Sequence, residues 1–185
     1  MRSIAALALG VAALAATGCL VPSLEPLYTD KELVTDSGLV GLWQEENGKD
    51  LLLIRERDAG GYVSYYFEED KVAEAFELRL VQLGKLRFYD LFPESKSAAT
   101  SLGQCHYIPA HTFGIIARDG DRFRTDPLNA DWMKDALKQN PALIAHKDYD
   151  GPALIASTPE LQKFALKFAA GEKAFPKGQT WIRRP

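Results

Sequence analysis

The sequence predicts a mainly antiparallel β domain, folded as a barrel or a strongly curved sheet, with about two packing helices. Three observations indicate this class: frequent turn signals, alternation of apolar and polar residues, and two segments with helical periodicity. Asn-Gly, Asp-Gly and Gly-Gly pairs supply the positive φ angles that tight hairpins require. A generic α+β sheet packed by two helices is the alternative. The turn signals between apolar runs are Asn47-Gly48, Gly60-Gly61, Gly84, Asp119-Gly120 and Asp150-Gly151.

The apolar runs alternate with a period of two. Segments 62–68, 74–81 and 84–92 each place apolar side chains on one face and polar side chains on the other. One polar face is typical of an antiparallel sheet that is wetted on one side, and many such strands curl into a barrel or a sandwich. The predicted apolar faces carry Val63, Tyr65 and Phe67, then Phe76, Leu78 and Leu80, then Leu86, Phe88 and Phe92.

Two segments have helical periodicity instead. Asn129 is placed to cap a helix over 130–140, and Thr158 followed by Pro159 marks the start of a second helix that ends near Gly171. We interpret their apolar stripes as packing surfaces against the sheet. The stripes consist of Trp132, Met133, Ala136 and Leu137 in the first helix and of Leu161, Phe164, Ala165 and Phe168 in the second.

The chain begins with the anatomy of a secretory signal. A short charged head is followed by an almost wholly apolar stretch from Ile4 to Ala16 and then by small residues. This stretch is shorter than the roughly 20 apolar residues that a membrane-spanning helix needs. We therefore expect residues 1–18 to be a signal peptide that is removed from the mature protein.

The end of this segment, Ala16-Thr17-Gly18-Cys19, resembles the lipobox of bacterial lipoproteins, although the commonest pattern has Leu in place of Ala16. The resemblance implies a diacylglyceryl group on the Cys19 thiol, a fatty acid such as palmitate on its amine, and Cys19 as the first mature residue. Leu20, where lipoproteins of the inner membrane tend to have Asp, favours the outer membrane and an orientation toward the periplasm. The alternative is an ordinary signal peptide cleaved near Ala16 or Gly18.

Residues 19–29 are predicted to be a lipidated tether, because Pro22 and Pro26 stiffen and extend a linker. The apolar residues interspersed in this segment leave a second alternative, in which it lies along the surface of the domain. The sequence has no evident internal repeat or second domain boundary after the tether. Residues 30–185 are therefore predicted to form a single globular domain rich in β structure.

A Gly-Leu-Trp sequence that ends at Trp43 opens the first long predicted strand and resembles the G-x-W signature of lipocalin-type barrels. The resemblance implies a tryptophan that closes the base of the barrel under an arginine from the far end of the chain. Arg183 and Arg184 follow Trp181 near the C-terminus, after a predicted helix, as in such barrels. The helix predicted over 130–140 departs from that family.

Composition excludes several classes of protein. A 46% share of hydrophobic residues is too high for a disordered chain, and a net charge of −3 argues against a nucleic-acid partner. Two cysteines cannot form a disulfide-rich scaffold or a zinc site with four cysteine ligands. Sharply spaced catalytic motifs such as G-x-S-x-G, H-E-x-x-H and the P-loop are also absent, and no cofactor is expected.

The densest group of reactive side chains runs from Cys105 to His111. Metal sites favour His and Cys, which makes His106 and His111 weak candidates for metal ligands. An unbroken strand points these two histidines to opposite faces, although Pro109 can break it, so the structural interpretation is preferred. Cys105 is expected to be a small buried hydrophobe, with a reactive thiol beside His106 as the alternative.

The leading functional prediction is a non-enzymatic envelope protein that binds an apolar small molecule or lipid inside the sheet, or a partner protein on its surface. A structural or assembly role in the envelope is one alternative, and a metal-dependent or hydrolytic enzyme that uses His106, His111 and Asp90 is another. A buried Asp90 needs a partner, so it is a polar anchor or part of a salt bridge, unless the strand end has twisted it outward. The predicted pocket is lined by Phe67, Phe76, Leu78 and Phe88, with Asp90 as its polar anchor.

Overall fold

In a computed structural model of the chain, residues 20–57, 60–69, 71, 73–94, 108–149 and 151–185 are described. Two helices, α1 (Ala130–Gln139) and α2 (Thr158–Phe168), accompany the strands, together with a 3-10 turn at Ser37–Leu39. The strands are β1 (Leu33–Val34), β2 (Gly41–Glu45), β3 (Leu51–Arg57), β4 (Gly61–Phe67), β5 (Glu74–Leu83), β6 (Leu86–Pro93), β7 (Thr112–Asp119), β8 (Arg122–Pro127), β9 (His146–Asp148), β10 (Pro152–Leu154) and β11 (Gln179–Arg183).

Eight of these strands close into an antiparallel barrel. Strands β2 to β8 follow one another as a meander, and β11 closes it by pairing with both β8 and β2. Trp181 of β11 lies opposite Phe123 on one side and opposite Glu45 on the other. Strand β1 pairs with two residues of β5, and β9 and β10 form a separate hairpin. The predicted class, an antiparallel barrel with two helices, is confirmed.

Both helices lie in the connection between β8 and β11 and begin where predicted, after the Asn129 cap and at Thr158, although the cap of the second helix is Ser157. The Asn129 side chain accepts a hydrogen bond from the Trp132 amide at 2.9 Å, while Ser157 and Glu160 form a reciprocal capping box. These starts were predictable because capping residues act on their own first turn. In the ranges given above, no helix is both long enough and apolar enough to cross a membrane.

The barrel interior forms a hydrophobic core rich in aromatic residues. The rings of Trp43 and Phe123 meet edge to face with centroids 4.7 Å apart, and Phe123 stacks on Trp181 at 6.2 Å. Barrels of eight strands are narrow enough for side chains to fill them. This inner core consists of Leu39, Trp43, Ile54, Tyr62, Leu78, Leu80, Tyr89, Ile116, Phe123 and Trp181.

A second hydrophobic core, the outer core, lies between the helices and the outer face of β5, β6 and β7. Phe88 of β6 packs there on Phe175, with ring centroids 6.0 Å apart, whereas the next residue, Tyr89, belongs to the inner core. Strand β6 is therefore buried on both faces. The single polar face predicted for 84–92 is wrong, because the helices cover this part of the barrel wall.

One end of the barrel, the closed end, is covered by the 3-10 turn and an arginine. The Trp43 indole N–H donates to the Leu39 carbonyl at 2.8 Å, and the Arg183 guanidinium lies over the same indole, 4.2 Å from the ring centroid. Arg183 also donates to the carbonyls of Val40, at 2.9 Å, and Gly38. This contact is the one that the G-x-W resemblance implies, and the eight-stranded barrel is compatible with a lipocalin-like fold.

Asp36 precedes the 3-10 turn and binds two further arginines at the closed end. Its carboxylate accepts hydrogen bonds from Arg87 at 2.7 Å and from Arg118 at 3.0 and 3.1 Å. Burial acts to raise the pKa of Asp36, but hydrogen bonds from Arg118, the Gly38 amide and Arg87 outweigh it and hold that pKa below its usual value. Charged pairs thus cover this end of the aromatic core.

Residues 20–28 pack against the barrel. Ser23 pairs with His111 through two backbone hydrogen bonds of 2.8 Å, and on its other side it pairs with Leu154. Leu27 is fully buried in the outer core. Of the two alternatives for this segment, the structure therefore has the one in which it lies along the surface of the domain.

Candidate functional site

The five residues predicted to line a pocket are divided between the two sides of the barrel wall. Leu78 belongs to the inner core, and Phe76 shares its face of β5. Phe88 and Asp90 lie on the outer face of β6, because the register of β6 with β5 directs the alternate residues inward. Phe67 ends β4 and is 37% exposed. The structure does not bring these residues together, and ligand binding by them stays a prediction.

Three of the predicted site residues, Cys19, Cys105 and His106, lie outside the described residues. Lipid attachment to Cys19, metal binding by His106 and the character of the Cys105 thiol therefore stay predictions. In the part of the chain that the structure describes, no group of three or more His, Cys, Asp or Glu side chains is placed to hold a metal ion.

Asp90 and His111 form a buried pair on the outer face of the barrel. His111 Nδ1 lies 2.6 Å from Asp90 Oδ1, and the Leu27 backbone N–H donates to Asp90 Oδ2 at 2.9 Å. The side chain of Asp90 is 1% exposed and that of His111 is 12% exposed. Both carboxylate oxygens thus have partners, as a buried carboxylate requires.

Aromatic rings lie on two sides of the His111 imidazole. Phe92 is tilted against it with centroids 4.5 Å apart, and Tyr28 meets it edge-on at 6.4 Å. Burial and then the charge of Asp90 raise the pKa of the Tyr28 hydroxyl, while Arg79 acts in the opposite direction with a smaller effect. Tyr28 therefore stays protonated at neutral pH and covers the pair as a neutral side chain.

This arrangement fixes how His111 can act. A carboxylate only accepts hydrogen bonds, so its contact with His111 is made through a proton on Nδ1, and Nε2 points away from Asp90. A histidine oriented in this way by a buried carboxylate is the usual form of an acid–base catalyst. The enzymatic alternative requires His106, His111 and Asp90 to converge within about 4 Å in a cleft. Asp90 and His111 are in contact, but His106 lies outside the described residues, so this alternative stays a prediction. The other carboxylate oxygen of Asp90 accepts the Leu27 N–H and thereby holds the N-terminal segment on the barrel.

A cleft of about 290 Å³ lies between α2 and the residues that precede β9. Lys163 and Lys167 line it, and the Lys167 ammonium lies 5.1 Å from the centroid of the Phe168 ring. Glu160 also lines the cleft, but its carboxylate accepts the Ser157 O–H and N–H at 2.6 and 2.9 Å, which lowers its pKa. The apolar part of the cleft consists of Ala142, Leu143, Ile144, Ala145, Phe164 and Phe168.

Sequence reasoning missed parts of both the Asp90–His111 pair and the cleft beside α2. Leu27 reaches Asp90 from 63 positions away, and no local pattern indicates that contact. The aromatic stripe that contains Phe164 and Phe168 was predicted to pack, and Phe164 is 5% exposed. The sequence did contain one signal for the cleft, the pair Lys163 and Lys167. Residues four positions apart stand on one side of a helix, so this pair lies beside the aromatic stripe.

The chain matches no protein-family model, no curated protein and no solved structure. Its fold and its candidate sites are therefore assigned from its own residues and contacts. Among the described residues, the Asp90–His111 pair and the cleft beside α2 are candidates for function.

Proposed function

We propose that this protein is a lipoprotein of the bacterial cell envelope, anchored in the outer membrane through Cys19, and that its barrel is a non-enzymatic binding module for a partner protein. The lipobox resemblance supports the anchor, and Leu20 supports the outer membrane. Two or more acyl chains hold a protein stably on a bilayer, so such an anchor replaces a membrane-spanning helix.

The filled interior of the barrel is the observation that supports binding of a partner protein on the outer surface rather than of a ligand inside. Trp43, Tyr62 and Phe123 are at most 2% exposed and occupy space that a carrier barrel leaves for its ligand. The contact of Arg183 with Trp43 supports a lipocalin-like fold. In this protein the interior serves stability, and the partner binds to the outer surface.

The cleft beside α2 is the surface best suited to a partner protein. Its volume, about 290 Å³, lies at the lower limit of the roughly 300–1,000 Å³ that small-molecule pockets occupy, and it suits one or two apolar side chains. Lys163 and Lys167 outnumber Glu160, whose carboxylate stays ionised because the helix cap lowers its pKa, so the cleft keeps a net positive charge. The partner therefore presents an apolar side chain flanked by carboxylates.

Photo-crosslinking in cells tests this surface. A photoreactive amino acid in place of Lys167 should give a discrete crosslinked product. The same amino acid in place of Lys49, whose side chain is 73% exposed between β2 and β3, should give none. Lys163→Glu should abolish the product, because it reverses a charge of the cleft, whereas Lys134→Glu on α1 should preserve it. A product that survives Lys163→Glu, or absence of any product at Lys167, contradicts the proposal.

Two measurements on the purified protein test the anchor and the filled barrel. Fatty-acid labelling should be lost in Cys19→Ser and retained in Cys105→Ser, and label in the first variant contradicts lipidation at Cys19. Native mass spectrometry of the mature protein should give the mass of the lipidated chain alone. A second, non-covalent lipid retained at a one-to-one ratio contradicts the partner-binding mode in favour of ligand carriage.

A second candidate function is acid–base catalysis, which the 2.6 Å contact between Asp90 and His111 favours. The readout is hydrolysis of a panel of small esters and amides by the wild type and by His111→Gln. Loss of a positioned acid–base group costs about 10²- to 10⁴-fold in rate, so a fall of that size supports catalysis. Equal hydrolysis by the two proteins contradicts it.

A further inference from the structure

The N-terminal segment has one buried and one exposed apolar face. Val21 and Ser23 are 3% and 0% exposed, whereas Leu20 and Leu24 are 52% and 46% exposed. Side chains alternate between the two faces of an extended segment, so Leu20 and Leu24 stand on the same outward face. Pro22 lies between them on that face, so the outward residues from 20 to 24 are apolar, and the exposed Glu25 follows them.

The neighbouring segment extends this face with a further exposed apolar residue. Ser23 pairs in parallel with Leu154, and the Leu24 N–H donates to the Leu154 carbonyl at 2.9 Å. Directly paired residues share a face, so Ile155, which is 39% exposed, lies beside Leu24. We call Leu20, Leu24 and Ile155 the N-terminal strip.

The N-terminal strip begins at the residue that follows the proposed lipid attachment. Leu20 forms a bridge with Asn129, and Ser23 is held on both sides, so the segment contributes no free length of linker. Acyl chains on Cys19 therefore enter the bilayer directly beside the strip.

We infer that the N-terminal strip is a membrane-docking surface, and that its occupant is the phospholipid bilayer that carries the anchor. Apolar side chains that are exposed in water are favourably transferred to the boundary between lipid headgroups and acyl chains. The strip thereby gives the barrel one orientation on the membrane. This inference rests on the proposed function, because it requires the lipid on Cys19.

The test uses the lipidated protein reconstituted into vesicles of phosphatidylethanolamine and phosphatidylglycerol at a ratio of about three to one, a mixture chosen to be anionic. An environment-sensitive fluorophore is attached at Leu24→Cys, or in the control at Phe67→Cys, each in a Cys105→Ser background. Leu24 and Phe67 are similarly exposed, at 46% and 37%, and Phe67 lies on β4, which pairs with β3 and β5 and not with the N-terminal segment. Flotation with the vesicles reports the anchor independently of the fluorophore.

We expect the label at position 24 to shift its emission to shorter wavelength on reconstitution and to be quenched by nitroxide-bearing lipids, while the label at position 67 does neither. If the protein floats and the two labels respond alike, the docking surface is overturned and the anchor stands. If the protein does not float, the anchor fails and the inference fails with it. A blue-shifted label at position 24 in a vesicle-free dimer also overturns the inference, because the strip is then an interface between two copies.

Discussion

The two cores of this protein share the strands of one barrel and differ in how they are assembled. Half of the inner core residues are aromatic, among them Trp43, Phe123 and Trp181, and almost all of them lie on strands. The outer core is mainly aliphatic and joins the N-terminal segment, β5 to β7 and both helices, with the Asp90–His111 pair at its edge. Closing the barrel is sufficient to form the inner core. The outer core also requires the N-terminal segment and the helices to dock on the barrel, so part of it can open while the barrel stays closed.

The largest effect is expected from the inner core, in the variant Trp43→Ala. Trp43 is fully buried against Phe123 and Arg183, and the closed wall of strands limits collapse into the vacated space. Such a substitution costs about 3–5 kcal/mol of unfolding free energy, measured by chemical denaturation. Leu166→Ala, on the exposed side of α2, should stay within about 0.5 kcal/mol of the wild type. A loss below about 1 kcal/mol for Trp43→Ala contradicts a tightly filled barrel.

The outer core is tested by Asp90→Ala, which leaves the Leu27 N–H and His111 Nδ1 without their acceptor. We expect a loss of about 1–3 kcal/mol, smaller than that of Trp43→Ala. Amide hydrogen exchange should accelerate at Ser23 and Leu27 and stay slow in β3 and β8, because the segment opens locally. Asp90→Asn keeps an acceptor oxygen and should have the smaller effect. Equal acceleration in every strand contradicts the separation of the two cores.

Strand β6 shows how much of this could be predicted from the sequence. The alternation of Phe88, Tyr89 and Asp90 predicted correctly that successive side chains point to opposite faces. The alternation did not show which of the two faces points into the barrel, because the helices that cover Phe88 come from a later part of the chain. The cap at Asn129 was predictable because its hydrogen bond to Trp132 is local.

The candidate site was predicted only in part, for the same reason. A buried carboxylate at Asp90 implied a partner, and His111 was already a candidate reactive residue. The hydrogen bond from Leu27 depends on docking of the N-terminal segment, which no periodicity encodes. The contact of Arg183 with Trp43 was expected from a family resemblance and not from the spacing of the two residues.

The closed end of the inner core is tested by Arg183→Lys. Lysine keeps the charge but loses the planar guanidinium that covers the Trp43 ring and reaches the carbonyls of Val40 and Gly38. We expect a loss of about 1–2 kcal/mol in unfolding free energy. Arg184→Lys, at the exposed next residue, should change it by less than about 0.5 kcal/mol. Equal effects of the two substitutions contradict a specific role of Arg183 in closing the barrel.

The smallest effect concerns Asp36, which binds Arg87 and Arg118 at the closed end. Its pKa is lower in the folded protein than its usual value of 3.8, so its stabilising contribution is complete above that value and is lost as pH falls through the folded pKa. The two arginine side chains are 36% and 29% exposed, so solvent screening keeps the contribution below about 1 kcal/mol. Thermal denaturation should show Asp36→Asn less stable than the wild type at pH 6, with the difference shrinking as the pH falls below about 5. Asp135→Asn, on the exposed face of α1, is the matched control. If the loss of stability in Asp36→Asn is the same at every pH, charge pairing does not cover the closed end of the barrel.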